Sequence, residues 1–445
     1  MALTPLPWRV TEIIEATAAR HLAGPNTGSF QAVGIDSRTY AAGTLFVAIG
    51  GERHDGHNFI DGVIEKGGQG VLMALGYERN LPVASWGKAG ACILGVADTT
   101  RALGALAAYR RRQSGIPLVA ITGSNGKTST RRMTAAVLAT RYETLASRGN
   151  FNNEIGLPLT LLGLCPGHQM AVVELGMNHL GEIGRLTQIC QPQTGVITTI
   201  APAHLEGVRT LAGVVQAKGE LLAHMAPGGK AVLNADDFQL VKLGKQSAHP
   251  VVWFGTGDKA QVRASDILST PSGDRFGLIL PEGEVRIQLR MPGRFMISNA
   301  LAAAAVGWIA GCTPNQIKAG LESVGPSPGR MVHVTTPKGI EIVDDTYNAN
   351  PGSMSAAFET MAGLSPQKPW VLVCGDMLEL GEEAPQWHRR VGREAVDRGA
   401  GAVYAHGPHG PQVTQGALDA GLDRRRVLSG TKAELIGALK ERLAP

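Results

Sequence analysis

Apolar runs of strand length recur along the chain, each followed by a glycine-bearing turn and then a segment of helical character. They are Leu118 to Ile121, Met170 to Glu174, Gly195 to Ile200, Ala231 to Asn234, Ile340 to Asp344 and Trp370 to Gly375. Runs of this kind alternating with helices predict βαβ units and largely parallel sheets, an α/β fold. Val262 to Met291 breaks the pattern, with short alternating runs around turn pairs such as Ser272-Gly273, and predicts antiparallel hairpins attached to the central part. A helical stretch, Thr100 to Gln113, stops at the breaker Gly115-Ile116-Pro117, and Pro326-Ser327-Pro328-Gly329 reads as a second linker. The 445 residues then divide as 1–99, 100–325 and 326–445, in keeping with roughly 150 residues per domain.

Composition narrows the class. Hydrophobic residues make up 44% and charged residues 18%, which is enough apolar material for sizeable cores. The 58 glycines show no short repeat and fit many strand-to-helix turns. The longest apolar stretch, Ala300 to Cys312, is too short for a bilayer and reads as a buried Ala-rich helix. The N-terminus lacks a basic head before an apolar run, and the five cysteines are scattered without C-x-x-C spacing. The expectation is a cytoplasmic protein with reduced thiols and no membrane span. The net charge of +5 suits an anionic small substrate. Arg110 to Arg112 and Arg424 to Arg426 read as solvated helix faces, because no aromatic residues interleave with them, so nucleic-acid binding is not expected.

The sharpest motif is Thr122-Gly123-Ser124-Asn125-Gly126-Lys127-Thr128, set between an apolar run and a helical pattern. Glycines let such a loop fold tightly, so that backbone N–H groups and a helix N-terminus converge on phosphates. Lys127 would neutralise phosphate charge and the Thr128 hydroxyl would hold Mg²⁺. The standard pattern places glycine where this chain has Ile121. The motif predicts ATP or GTP binding, but motors, switches, kinases and ligases all use it. Three polar residues stand near the carboxyl ends of predicted strands, or early in the helices that follow, where ligands of open α/β sheets bind. Glu174 is a natural Mg²⁺ ligand or else an acidic helix cap. His204 and Lys218, each taken alone, read as a structural histidine and a surface charge.

These residues, together with further motifs in the same order, resemble the ATP-dependent Mur ligases of peptidoglycan synthesis over nearly the whole chain. Asp36-Ser37-Arg38, Gly43-Thr44-Leu45-Phe46 and Asp55-Gly56-His57 resemble the family's N-terminal domain, and the T-G-x-x-G-K-T form of its phosphate loop accounts for Ile121. Asn150-Phe151-Asn152-Asn153-Glu154-Ile155-Gly156-Leu157-Pro158 and Glu174-Leu175-Gly176-Met177-Asn178 follow in family order. Asp344-Asp345-Thr346-Tyr347-Asn348-Ala349-Asn350-Pro351 and Gly375-Asp376-Met377-Leu378-Glu379-Leu380-Gly381 resemble the member that adds a D-Ala-D-Ala dipeptide. The resemblance implies a central P-loop parallel-sheet ATPase domain. An N-terminal UDP-sugar-binding α/β domain and a C-terminal Rossmann-like α/β domain that binds the incoming dipeptide would flank it.

It also implies roles. Lys127, Glu174, His204 and Lys218 would be catalytic, with two Mg²⁺ held by Thr128, Glu174, His204 and a carbamylated Lys218. ATP would meet Thr122 to Thr128, Asn299, Arg330 and Asp345. The substrates, a UDP-MurNAc-tripeptide and D-Ala-D-Ala, would meet Ser37, Arg38, Asp55, His57, Asn150, Asn152, Asn153, Tyr347, Asn348 and Asn350. The implied reaction is amide formation through an acyl phosphate by a monomer, with hinges at the two linkers. One departure concerns adenine: the family's His-Asn-x-x-Asn reads Phe295-Met296-Ile297-Ser298-Asn299 here, so an amide is missing at Met296. The alternatives are a sister ligase adding the third amino acid, a folylpolyglutamate synthase-like ligase, or a P-loop switch ATPase.

Overall fold

A computed structural model describes residues 4–51, 54–270, 272–364 and 369–442. Its first sheet has the strands Ala32–Gly34, Thr44–Val47, Gly70–Ala74 and Cys92–Val96 in parallel, with Arg20–Ala23 antiparallel at one edge. Successive side chains alternate faces. Leu45, Val47, Leu72 and Leu94 bury themselves on one side, and Phe46, Val71, Met73 and Ile93 on the other.

The central sheet has nine strands. Seven run parallel in the order Thr144–Ala146, Met170–Glu174, Leu118–Thr122, Thr194–Ile197, Lys230–Asn234, Val251–Gly255 and Val262–Thr270. Gly273–Leu280 and Gly283–Gln288 complete it as antiparallel hairpin strands, as the alternating pattern predicts. The chain leaves Leu118–Thr122 toward one side of the sheet and later returns to fill the other, so this strand is the switch point beyond which a crevice forms. Ala300 to Val306, in the helix Arg294–Ile309, are buried against the helix Lys127–Ala139. Small side chains permit that close approach. No helix among the described residues is long and apolar enough to cross a membrane.

The third region has a parallel sheet of Trp370–Cys374, Ala400–Ala405 and Val427–Ser429 with four helices, Pro351–Leu364, Ala384–Asp397, Gly410–Asp419 and Lys432–Arg442. Glu341–Asp344 does not join a βαβ unit as expected; it pairs antiparallel with Val332–Thr335. The connection through Pro337-Lys338-Gly339, with Gly339 at φ 77°, is long enough for a hairpin and too short for a crossover.

The arginine run also departs from expectation. Arg110 and Arg111 are buried. Arg110 donates to Leu6 O at 2.7 Å and lies 4.3 Å over the Trp8 ring, while Arg111 donates to Cys190 O at 2.8 Å. The helix Thr99–Ser114 thus fastens the N-terminal region to the central one through two guanidiniums. Charge density alone gave no sign of this, because a guanidinium can be buried when carbonyls and an aromatic face receive it.

Candidate nucleotide and metal site

The strand Leu118–Thr122 is buried throughout and delivers its chain into a loop that starts the helix Lys127–Ala139. Gly123 (φ 145°) and Gly126 (φ 83°) make the turn, and a Cβ on Gly126 would sit 2.2 Å from Asn299 Oδ1. Hydrogen bonds to the segment after the neighbouring strand clamp the loop. Thr198 Oγ1 donates to Asn125 O at 2.5 Å, and Ser124 Oγ donates to Ala201 O at 2.8 Å. Thr122 Oγ1 is spent on Leu175 O at 2.9 Å. Lys127 Nζ donates to Gly123 O at 2.8 Å and Ser124 O at 3.4 Å, so it curls over its own loop within reach of a phosphate.

The register Glu174↔Ile121 places Glu174 at the carboxyl end of the adjacent strand. Its carboxylate accepts from Thr128 Oγ1 at 3.0 Å, Asn152 Nδ2 at 2.9 Å and Arg131 Nε at 3.4 Å. The acidic-cap alternative is therefore not what the structure shows. Arg131 was not anticipated, although it lies four residues after Lys127 and so shares its helix face. Its guanidinium also reaches Ser147 O and Gly149 O.

Lys218 is 1% exposed and makes no ion pair among the described residues. Burial, and then the charge of Lys127, push its amine well below the ordinary lysine range. Burial also lowers Lys127, with Glu174 opposing and Arg330 assisting. His204 is lowered by burial and by the charges of Lys127 and Lys218, against the pull of Glu379. The positive charges of Lys127 and Lys218 thus bear on each other and on His204, an arrangement that an anion would relieve.

Among the described residues no three His, Cys, Asp or Glu gather as a metal cage. Thr128, Glu174 and His204 nevertheless present oxygen and imidazole donors beside the loop. Mg²⁺ binds sites of this kind through one or two carboxylates plus phosphates and water, so the donor set fits.

The third region contributes to the same place. Arg330 donates to Thr128 Oγ1 at 3.2 Å and stacks 4.0 Å over the Tyr347 ring. Asn350 and Asn125 exchange two amide hydrogen bonds, of 2.7 and 3.2 Å. His204 Nδ1 stands 2.5 Å from Glu379 Oε2.

Other expected residues lie elsewhere or are already engaged. Asn153 Oδ1 accepts from Gly156 N at 2.8 Å, where the helix Gly156–Leu162 starts, and Asn150 is exposed. Asn299 is buried beneath the loop, accepting from Thr130 Oγ1 at 3.2 Å, with Met296 buried beside it. Asp345 accepts from Met331 N at 3.2 Å, and burial raises its carboxyl. Asn348 is exposed.

In the first region Arg38 is exposed and bound to Asp36, whose carboxyl this contact lowers to about 2, and Ser37 O accepts from Lys66. His57 is buried with both ring nitrogens used, one 2.6 Å from Asp55 and the other accepting from Ala74 N at 2.9 Å. Asp55 also accepts from Tyr77 at 2.6 Å. Within the chain, the polar atoms of this pair fix a loop.

Three family models match in order: "Mur ligase family, catalytic domain" over residues 29–111, "Mur ligase middle domain" over 121–307 and "Mur ligase, glutamate ligase domain" over 329–445. The chain is 40% identical over 381 residues to the UDP-N-acetylmuramoyl-tripeptide–D-alanyl-D-alanine ligase of Escherichia coli K12, covering 85% of this chain and 82% of that one. Against the Bacillus subtilis 168 protein of the same name, identity is 33% over 416 residues, covering 92% and 87%. A crystal structure of MurF from Acinetobacter baumannii superposes with a TM-score of 0.89 at 32% identity, covering 100% of this chain and 94% of that one.

Proposed function

The chain belongs to the Mur ligase family, and on that premise we propose how its residues carry out the reaction. It is an ATP-dependent ligase that adds D-alanyl-D-alanine to the UDP-N-acetylmuramoyl-tripeptide by forming an amide bond. The contribution of the chemistry is to make a carboxylate electrophilic, because its negative charge otherwise repels an amine.

In the proposed course, a terminal carboxylate oxygen of the tripeptide attacks the γ-phosphorus of ATP. The bond from that phosphorus to ADP breaks and an acyl phosphate forms. The amine of D-Ala-D-Ala then attacks the acyl carbon, the carbon–oxygen bond to phosphate breaks, and the amine proton passes to solvent.

Lys127 would exchange Gly123 O and Ser124 O for phosphate oxygens, while the loop's N–H groups orient the triphosphate. Arg330, already on Thr128, would meet charge as it develops on the transferring group. Glu174, Thr128 and His204 would hold Mg²⁺, joined by Lys218 as a carbamate. The metal, when bound, screens the phosphates and polarises the transferring phosphoryl group. For the carbamate, the neutral amine of Lys218 adds to CO₂ through a new N–C bond and releases one proton. Burial favours that neutral amine.

Residues 1–99 would bind the UDP moiety, 100–325 the ATP and 326–445 the dipeptide. The assignment is of a monomer working in the cytoplasm, where ATP is available. The observation that carries the reading is the convergence of Glu174 and Arg330, from two separate chain segments, on Thr128 beside Lys127 of the phosphate loop. A phosphate-release assay tests it. Release is expected to need Mg²⁺, the UDP-tripeptide and D-Ala-D-Ala together, and equal release with either substrate omitted contradicts it.

A further inference from the structure

Glu379 stands apart from the site as read above, because it comes from the third region and touches neither the phosphate loop nor Glu174. Its Oε2 lies 2.5 Å from His204 Nδ1, and its carbonyl accepts from Glu206 N at 3.1 Å, so side chain and backbone both engage the turn that carries the imidazole. Both partners adopt the left-handed backbone conformation, His204 at φ 56° and Glu379 at φ 62°. Non-glycine residues rarely stay there unless surrounding contacts hold them. Those contacts are present: Met377 and Leu380, flanking Glu379, are buried in the same apolar cluster as Leu205 and Val208, flanking His204.

A carboxylate only accepts, so the pairing puts a proton on Nδ1, and in the neutral imidazole Nε2 is then the lone pair. Nε2 makes no hydrogen bond among the described residues. Histidines that bind metals commonly donate their other ring nitrogen to a carboxylate, which fixes tautomer and ring orientation.

We infer that Glu379 is a positioning residue, which reaches across from the C-terminal domain to hold His204 with Nε2 available to the active-site metal. Metal affinity is thereby tied to the docking of that domain. The inference rests on the reading of His204 as a metal ligand.

The test is Mn²⁺ binding to the full-length enzyme with a non-hydrolysable ATP analogue, followed by electron paramagnetic resonance. The variants are Glu379→Ala, Glu379→Gln, His204→Ala and Leu378→Ala, each checked for folding by circular dichroism. Glu379→Ala is expected to weaken one Mn²⁺ site about 10-fold or more, the range for loss of a ligand's outer partner. Glu379→Gln keeps the backbone contact to Glu206, but its amide can donate as well as accept and no longer enforces the tautomer. It is expected to fall between wild type and Glu379→Ala. Leu378→Ala, an exposed neighbour, should bind like wild type.

If His204→Ala loses the site while Glu379→Ala binds Mn²⁺ normally, the positioning role is wrong and the metal reading stands. If His204→Ala itself binds Mn²⁺ normally, the metal reading fails and takes this inference with it. Should Glu379→Gln match wild type while Glu379→Ala is weakened, packing alone is at work and the tautomer argument is overturned.

Discussion

Replacing Glu174 by Gln is the perturbation the site responds to most informatively, because the carboxylate is asked for two accepting oxygens. Oε1 receives Asn152 at 2.9 Å, and Oε2 receives Thr128 at 3.0 Å and Arg131 at 3.4 Å. An amide supplies one accepting oxygen, so a donor must face a donor on one side. Asn152 can turn its amide over or Thr128 can rotate, which limits the loss to about one buried hydrogen bond, ~1–3 kcal/mol.

Breaking a buried ion pair outright costs more, about 3–5 kcal/mol. Arg131, however, keeps Ser147 O and Gly149 O, and its contact with Glu174 is long, so the smaller figure wins. At about 2–4 °C per kcal/mol for a domain near this size, Glu174→Gln should unfold several degrees below wild type. Its activity should fall much further, ~100-fold or more, because a neutral amide is a poor partner for a divalent cation. Thermal unfolding followed by phosphate release across a Mg²⁺ titration separates the two effects. A folded Glu174→Gln enzyme with wild-type turnover and wild-type Mg²⁺ half-saturation would refute the reasoning.

Lys218→Met should abolish activity, and native mass spectrometry in bicarbonate should find an adduct of about 44 Da on the wild type only; a fully active variant removes the role. The folded amine of Lys218 is held below its unfolded value near ~10.4, so the unfolded chain binds the proton more tightly and stability climbs with pH toward that value. The variant's unfolding temperature should lack this rise in CO₂-free buffer, and an unchanged pH slope contradicts the burial argument. Asn125→Ala and Asn350→Ala should not be additive in kcat/KM. Two lost amide bonds correspond to a coupling of ~1–3 kcal/mol, and strict additivity would mean the pair does not act as a unit. His57→Ala should lower the unfolding temperature by removing a buried ring stacked 3.7 Å from Tyr77, at a cost of ~2 kcal/mol or more. A variant of full stability whose only defect is a raised KM for the UDP-tripeptide would return His57 to the substrate.

The central sheet was legible because fully buried parallel strands read as apolar runs, and the phosphate loop was legible because its glycines occupy backbone conformations other residues avoid. Part of the first sheet does not stand out in the pattern. Strands as short as Ala32–Gly34 and Thr44–Val47 lack the length to stand out from their loops. Among site residues, Glu174 and Lys127 follow from strand ends and spacing. Arg131, Thr198 and Glu379 do not, since their meaning comes from what the fold brings opposite them: a carboxylate, a loop carbonyl and an imidazole. His57 shows that a residue singled out for its chemistry can already have partners within the fold. A histidine beside an aspartate looks like chemistry in a sequence, yet here a backbone N–H and a carboxylate saturate it.

The most direct test follows an oxygen atom. With ¹⁸O in the terminal carboxylate of the UDP-tripeptide, activation by phosphoryl transfer sends one labelled oxygen into inorganic phosphate for each amide bond formed. Phosphate that emerges unlabelled while amide accumulates would mean that the loop at Gly123 to Thr128 does not pass its phosphoryl group to the substrate carboxylate.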